Sequence, residues 1–332
     1  MISPNKHNTA SLPISTGHLP SSELIRALVN AAYEQFKAND DGRNADYYPA
    51  LAKVPRELFG ICMVGIDGAI YSAGDAMVPF TIMSVSKPFV FALICQAIGI
   101  EQARQKLGVN STGLPFNSIM AIELNAKRLT NPIVNSGAIA ATSLVPGTTA
   151  EAKWQFIYEG LSRFAGRELS LNEEVYASAS ATNHRNQAIA RLLESYGRLY
   201  FDPITAVDLY TRQCSLDVTA KDLAVMAATL ADGGVNPITK QQVIDTAHCP
   251  PVLAVMATAG LYETSGDWLY DIGLPGKSGV GGGIITVAPG KGGLGTFSPP
   301  LDETGNSVRG QLATKFLSER LGLNLFASRP DG

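Results

Sequence analysis

One stretch of the sequence constrains the fold more than any other. Residues 81–95 read Thr-Ile-Met-Ser-Val-Ser-Lys-Pro-Phe-Val-Phe-Ala-Leu-Ile-Cys, almost wholly apolar and yet carrying a lysine. A helix that is apolar all round is a buried helix, so this stretch predicts the centre of a large core. Ser84 is expected at its N-cap, and Lys87 one turn later on the same face. Pro88 then falls in the first turn, where its missing N–H costs little.

The pairing of Ser84 with Lys87 has chemical consequences. Desolvation in an apolar interior disfavours the ammonium and lowers the pKa of a lysine. A neutral amine beside a hydroxyl is a general base beside a nucleophile, so the two residues are candidate catalytic groups. The pair alone does not settle this, because so short a pattern also arises by chance. In the alternative, Ser84 only caps the helix and Lys87 reaches water.

Composition excludes several classes of function. The 332 residues are 45% apolar and 17% charged, with a net charge of −3. This is enough for a large core, and no basic stripe is present that would bind nucleic acid. The four cysteines and four histidines are scattered, so we expect no metal or other cofactor, no disulfides and a cytoplasmic location. His184 is the one histidine expected near a site.

The chain is expected to be a flexible arm, residues 1–20, followed by a single catalytic domain, residues 21–332. Residues 1–17 are polar and lack the basic start and apolar stretch of a signal peptide. No apolar run reaches the length of a membrane span, so no membrane partner is expected.

Hydrophobic periodicity predicts strands near both chain ends and helices between them. Residues 59–65 and 69–73 flank Asp67-Gly68 and predict a hairpin. A second strand pair is predicted at 283–288 and 292–298. Helices are predicted at 21–36, 153–164, 185–196, 203–214, 220–231 and 307–321. The prediction is an α/β fold of the α+β type, with an antiparallel sheet built from both chain ends and a helical lobe, about 100–255, inserted between them.

A glycine-rich segment near the C-terminus, residues 274–283, carries Lys277-Ser278-Gly279. Ser-x-x-Lys enzymes of the penicillin-recognising class carry Lys-Thr-Gly on a strand beside their nucleophile. We therefore expect Lys277 on a strand at the edge of the site, where an exposed backbone N–H can form half of an oxyanion hole. A plain glycine-rich turn between strands is the alternative.

Taken together, these segments closely resemble the serine-dependent glutaminases, a family with the β-lactamase/DD-peptidase-like fold. The resemblance runs from about Tyr47 to Gly310. It rests on the order and separation of these segments: 47–52, 74–80, 84–87, 131–138, 185–186, Tyr210, 260–262, 277–280 and 298–302.

The resemblance implies a role for each matching residue. Ser84 would attack a side-chain carboxamide, Lys87 would take its proton, and Tyr262 would help to pass a proton to the departing ammonia. The backbone N–H groups of Ser84 and Val280 would hold the oxyanion. The remaining matches are implied to bind substrate. Three of them would bind around its α-carboxylate: Asn135, Asn186 and Tyr210. Tyr47 matches a tyrosine that lines the pocket.

Two positions depart from the family pattern. Met83 stands where the family usually has glutamine, and Ala179 stands where it has the glutamate that partners the substrate's α-ammonium. Losing a buried charge partner costs several kcal/mol. Amide hydrolysis is therefore better supported than free L-glutamine as the substrate.

The function predicted from the sequence is hydrolysis of the side-chain amide of L-glutamine to L-glutamate and ammonia through a Ser-Lys acyl-enzyme. One alternative is an amidase for a glutamine-like amide without a free α-ammonium. A second is a β-lactam or peptidoglycan enzyme of the Ser-x-x-Lys class, and a third is an inactive binding protein. We expect a small-molecule amide substrate and assembly as a homodimer or homotetramer.

Overall fold

The computed structural model of the protein describes residues 18–327. The eight strands in this range are β1 Gly60–Gly65, β2 Ile70–Gly74, β3 Phe80–Thr81, β4 Ser170–Leu171, β5 Leu216–Val218, β6 Gly276–Ser278, β7 Gly283–Ala288 and β8 Gly292–Phe297. Five of them form an antiparallel sheet in the order β2-β1-β8-β7-β6. β1 pairs directly with β8, for example Ile61 with Thr296, so both ends of the chain build one sheet, as predicted.

The helices of the described residues are α1 Ser22–Phe36, α2 Pro49–Ala52, α3 Lys87–Ile98, α4 Ile100–Lys106, α5 Met120–Glu123, α6 Asn135–Leu144, α7 Ala150–Ala165, α8 Glu173–Thr182, α9 His184–Ser195, α10 Pro203–Cys214, α11 Ala220–Ala231, α12 Cys249–Ala259, α13 Ser265–Ile272 and α14 Val308–Leu321. Short 3₁₀ segments lie at Met83–Ser86, Thr246–His248 and Tyr262–Thr264. The predicted helices and both predicted hairpins are confirmed, with ends shifted by no more than a few residues.

The start of the buried helix corrects one prediction. Ser84 is not its N-cap: Ser84 lies in the 3₁₀ segment, and α3 begins at Lys87. The reason is Pro88. A helix capped by Ser84 would require the residue-88 N–H to donate to the Ser84 carbonyl, and proline has no N–H. The Lys87 N–H donates to that carbonyl instead and closes the tighter turn.

The helical lobe is less uniform than predicted. β4 and β5 fall within residues 100–255 and form a small three-stranded sheet in the order β3-β5-β4. These strands are two and three residues long, too short for a two-residue periodicity to show in the sequence. Of the predicted arm, 1–20, residues 1–17 lie outside the described range. The division into an arm and one domain stays a prediction.

Each face of the main sheet packs against helices. α11 lies against one face, along β8, β7 and β1. α1 and α14 cover the other face, where their apolar side chains meet Ile61, Met63 and Leu294. In β8 the residues that face α11 are glycines: a Cβ at Gly295 would overlap the Ala220 carbonyl oxygen and lie 2.7 Å from the Ala224 nitrogen. The absence of side chains there brings helix and sheet close together.

This close approach makes Gly295 a sensitive position. We expect Gly295→Ala to lower the free energy of unfolding by about 3 kcal/mol, because the added methyl meets rigid backbone. Gly266→Ala is the matched control, since that exposed glycine in α13 has open space beside it and gains about 0.5 kcal/mol of helix propensity. Chemical denaturation measures both changes. Equal effects of the two substitutions would contradict the packing argument.

Among residues 18–327, no single helix is long and apolar enough to cross a membrane. The segments Met83–Ile98 and Ile100–Lys106 reach that length and composition only as a pair, bent by 118° at Gly99.

Candidate active site

Ser84 lies on the wall of a cleft of about 200 Å³. The residue before it, Met83, has a φ of +46°, a left-handed conformation that costs a non-glycine residue of order 1–3 kcal/mol. Buried hydrogen bonds hold this turn: Ser86 Oγ donates to the Met83 carbonyl at 2.8 Å, and Gln213 Nε2 donates to Ser86 Oγ at 3.2 Å. The strained turn aims Ser84 into the cleft. Neither Ser86 nor Gln213 carries a sequence signal for this role.

The lysine does not reach water. Lys87 is 1% exposed, and its Nζ donates to the Ile133 carbonyl at 3.0 Å and to Asn135 Oδ1 at 2.8 Å. Both acceptors are neutral, so burial is the dominant influence and lowers the pKa of Lys87 to about 7. Near neutral pH a large fraction of the amine is unprotonated, as a general base requires.

Tyr262 stands at the same wall. Its hydroxyl donates to the Ser278 carbonyl at 3.4 Å and lies within hydrogen-bonding reach of Ser84. Burial raises the pKa of this phenol above its usual value, so Tyr262 is protonated at neutral pH. Its φ is +58°, a second strained backbone beside the nucleophile. The Tyr262 hydroxyl can thus exchange a proton with Ser84 or with a group bound next to it.

Val280 lies in the loop between β6 and β7 and faces the cleft next to Ser84. A Cβ at Gly281 would lie 2.6 Å from the Thr81 carbonyl oxygen, so glycine lets this loop pack against the nucleophile segment. Among the described residues, neither the Ser84 N–H nor the Val280 N–H has a hydrogen-bond acceptor. Two unused N–H groups at one wall are suited to hold a developing oxyanion.

Lys277 lies on β6, the edge strand next to the site, as predicted. It is fully buried behind the cleft wall, where its Nζ donates to the carbonyls of Gly260 and Ser278 and lies 4.3 Å from the Tyr262 ring centre. Burial, with Lys87 as a second contribution, lowers the pKa of Lys277 well below its usual value. These contacts support the Tyr262 wall from behind.

The three residues predicted to bind a substrate carboxylate lie together and line the same cleft. Asn135 Oδ1 accepts from Lys87 Nζ and from the Tyr210 hydroxyl at 3.2 Å, and Asn135 Nδ2 donates to Asn186 Oδ1 at 3.0 Å. Burial raises the pKa of Tyr210 well above its usual value. The base and the predicted substrate-binding groups are therefore parts of one hydrogen-bonded unit.

Tyr47 lies at the mouth of the cleft and is 48% exposed. Its ring packs edge-on against Phe116, 6.0 Å away, and Phe116 packs on Tyr262 at 4.7 Å. Phe116 lines the cleft, and no motif in the sequence marked it. His184 is exposed at the start of α9 and does not line the cleft, although its neighbours Asn183 and Arg185 do.

Within residues 18–327, no group of three or more histidine, cysteine and acidic side chains is placed to hold a metal ion. The four cysteines are buried and unpaired.

Comparison with known proteins adds independent information. A protein-family model described as Glutaminase matches residues 42–326. The curated protein Glutaminase 2 of Yersinia pestis is 66% identical over 317 residues, which cover 96% of this chain and 93% of that protein. A glutaminase of Brucella canis is 50% identical over 309 residues, covering 93% and 98%.

Solved structures agree with these matches. A probable glutaminase, ybaS, superposes with a TM-score of 0.92 at 46% identity, covering 93% of this chain and 100% of that one. Mglu in its glutamate form superposes with a TM-score of 0.87 at 37% identity, covering 92% and 70%. A Bacillus glutaminase gives 0.84 at 32% identity, covering 91% and 99%.

Proposed function

The chain belongs to the glutaminase family, has its β-lactamase-like fold and is a hydrolase of linear amide C–N bonds; from this premise we propose that it cleaves the side-chain amide of glutamine or a close analogue through an acyl-enzyme on Ser84. The observation that carries the proposal is the fully buried Lys87 amine, one tight turn after Ser84 and held by neutral acceptors only. A relative solved in its glutamate form supports a glutamine-type substrate.

In the first half of the reaction, the Ser84 oxygen attacks the amide carbon while neutral Lys87 takes the hydroxyl proton. The N–H groups of Ser84 and Val280 stabilise the oxyanion that forms. The C–N bond then breaks, and the departing nitrogen leaves as ammonia after receiving a proton by way of Tyr262. An ester between the substrate's acyl group and Ser84 remains.

In the second half, water attacks this ester while neutral Lys87 takes one of its protons, and Lys87 then passes that proton to the Ser84 oxygen. The C–O bond to Ser84 breaks, the carboxylic acid leaves and Lys87 is neutral again. A test is to add hydroxylamine during turnover: an ester on Ser84 partitions between water and hydroxylamine, so the hydroxamate should form at the expense of the acid. Absence of hydroxamate at any hydroxylamine concentration would contradict the acyl-enzyme.

The β-lactam or peptidoglycan alternative is not proposed. The family match spans residues 42–326, and the similar solved structures named as glutaminases extend over at least 91% of this chain.

The pH profile tests the role of Lys87. Because the neutral amine is the active form and its pKa is about 7, we expect kcat/KM to rise with pH and level off above neutrality. Asn135→Asp replaces the amide oxygen that lies 2.8 Å from Lys87 Nζ with a carboxylate. The negative charge favours the ammonium form of Lys87 and raises its pKa, so the rise in kcat/KM should move to higher pH. The substrate must not itself titrate between pH 5.5 and 8.5. A flat profile over that range, or no displacement in the variant, would rule out Lys87 as the base.

A further inference from the structure

The charge on the cleft walls is of one sign. Arg185, whose Nε donates to the Asn117 carbonyl at 2.9 Å, is the charged side chain that lines the cleft among the described residues. Within the described part of the chain, neither aspartate nor glutamate lines the cleft. A site of this kind attracts an anion and offers no anionic partner to a cation.

The polar side chains that line the cleft around Asn135 form a directed chain. Three successive hydrogen bonds run away from Lys87: Asn135 Nδ2 to Asn186 Oδ1 at 3.0 Å, Asn186 Nδ2 to Asn183 Oδ1 at 2.6 Å, and Asn183 Nδ2 to Thr211 Oγ1 at 2.6 Å. Thr211 in turn donates to the Val207 carbonyl at 2.7 Å, which fixes the direction of the chain.

This direction decides what the wall presents to a ligand. Each amide nitrogen carries two hydrogens, and the chain uses one of them. Both lone pairs of Asn135 Oδ1 are taken by Lys87 and Tyr210. The second N–H hydrogen of each asparagine amide remains free to donate to a carboxylate. The remaining oxygen acceptors belong to neutral amides, so they carry no charge to balance an ammonium.

Ala179 lines the same cleft as these asparagines. It lies on α8, is 2% exposed and lines the cleft with its methyl group. A methyl accepts no hydrogen bond, and burying an ammonium without an anionic partner is strongly unfavourable. Asp46 and Glu263 interact electrostatically with Tyr47 at the mouth, but both are exposed and neither lines the cleft.

We infer that the substrates this cleft prefers are monoamides of short dicarboxylic acids that keep the carboxylate and lack a free α-ammonium. The α-carbon of such a substrate is unsubstituted, carries a keto group or bears an acylated nitrogen. The inference rests on the proposed Ser84 chemistry and concerns only the far end of the substrate, which the donor wall and Ala179 contact.

The first experiment compares three amides by ammonia release. Glutaramate has the carboxylate and no ammonium, L-glutamine has both, and pentanamide has neither. We expect kcat/KM for glutaramate to exceed that for L-glutamine by about ten- to a hundredfold, the ratio that one charge-assisted contact gives. Pentanamide should be the poorest substrate, since it cannot use the donors. A preference for L-glutamine over glutaramate would overturn the inference.

The second experiment introduces a carboxylate at position 179, where the wild type has the alanine methyl group. Ala179→Glu should shift the ratio towards L-glutamine by about ten- to a hundredfold. Ala179→Gln has the same size without the charge, and Ala181→Glu adds the charge at an exposed position of the same helix. Neither control should shift the ratio. An equal shift in Ala179→Gln, or none in Ala179→Glu, would overturn the charge argument.

Failure of the substrate preference and failure of the Ser84 chemistry give different results. If all three amides are hydrolysed through Ser84 but L-glutamine is preferred, the specificity inference fails and the proposed function stands. If Ser84→Ala releases ammonia as fast as the wild type, both fail. The comparison of substrates on the wild type does not depend on any variant folding.

Discussion

Ser84→Ala is expected to lower kcat for amide hydrolysis by about 10⁴-fold or more, because the ester of the proposed mechanism forms on the Ser84 hydroxyl. The substitution removes one hydroxyl from a site where Ser84 is 7% exposed and adds no volume. The free energy of unfolding should therefore change by no more than about 1 kcal/mol. Ammonia release and chemical denaturation measure the two effects separately.

The control for Ser84→Ala is Ser180→Ala, an exposed serine on α8 that does not line the cleft. It should keep the wild-type rate. Residual turnover of more than a few per cent in purified Ser84→Ala protein would remove Ser84 as the nucleophile.

Lys87→Met is expected to reduce kcat by about 10³-fold or more, since methionine fills the buried site but accepts no proton. Nucleophile and base act as a unit, so the double variant with Ser84→Ala should be no slower than Ser84→Ala alone. Multiplicative losses in the double variant would show that the two residues act independently.

The same substitution has a predicted signature in stability. The folded-state pKa of Lys87 lies near 7, below its usual 10.5, so the unfolded chain binds the proton more tightly. Wild-type stability therefore falls as the pH drops from about 10 towards 7, and it levels off below that. Lys87→Met has no titrating amine at this position. As the pH drops from about 10 to 7, its free energy of unfolding should therefore rise relative to that of the wild type by about 1.4 kcal/mol per pH unit. A pH-independent difference would mean that Lys87 does not change its pKa on folding.

Local chemistry made the secondary structure predictable. Asp67-Gly68 between two β-prone runs is the turn of the β1–β2 hairpin, where Gly68 has a φ of +89°. Ser21 and Ser307 cap α1 and α14 through their side chains. These signals act over a few residues, so they can be recognised along the chain. β4 and β5 carry no such signal, because their pairing is set by distant partners: Leu171 pairs with Leu216, and Phe80 pairs with Val218, 138 residues away in sequence.

The candidate site was predictable to a different degree for each group. The resemblance placed Ser84, Lys87, Tyr262 and Val280. In the structure Ser84 and Val280 line the cleft, Tyr262 lies within hydrogen-bonding reach of Ser84, and Lys87 is buried at the start of the helix that follows. The resemblance could not indicate that Met83 and Tyr262 are strained, because neither residue type favours a positive φ. Ser86, which holds the Met83 carbonyl, is itself fixed by a buried hydrogen bond from Gln213 in α10, 127 residues away.

By itself, the sequence determined the family, the main strands at both chain ends with helices between them, and the presence of a lysine in an apolar helix, because motif spacing and hydrophobic period are properties of the chain. Only the tertiary structure decided which acceptors surround Lys87, in which direction the Asn135–Asn186–Asn183 chain runs, and that no carboxylate from residues 18–327 lines the cleft around Ala179. Those properties depend on which side chains from distant segments share one cavity. In that low-dielectric space, one missing charge changes what can bind.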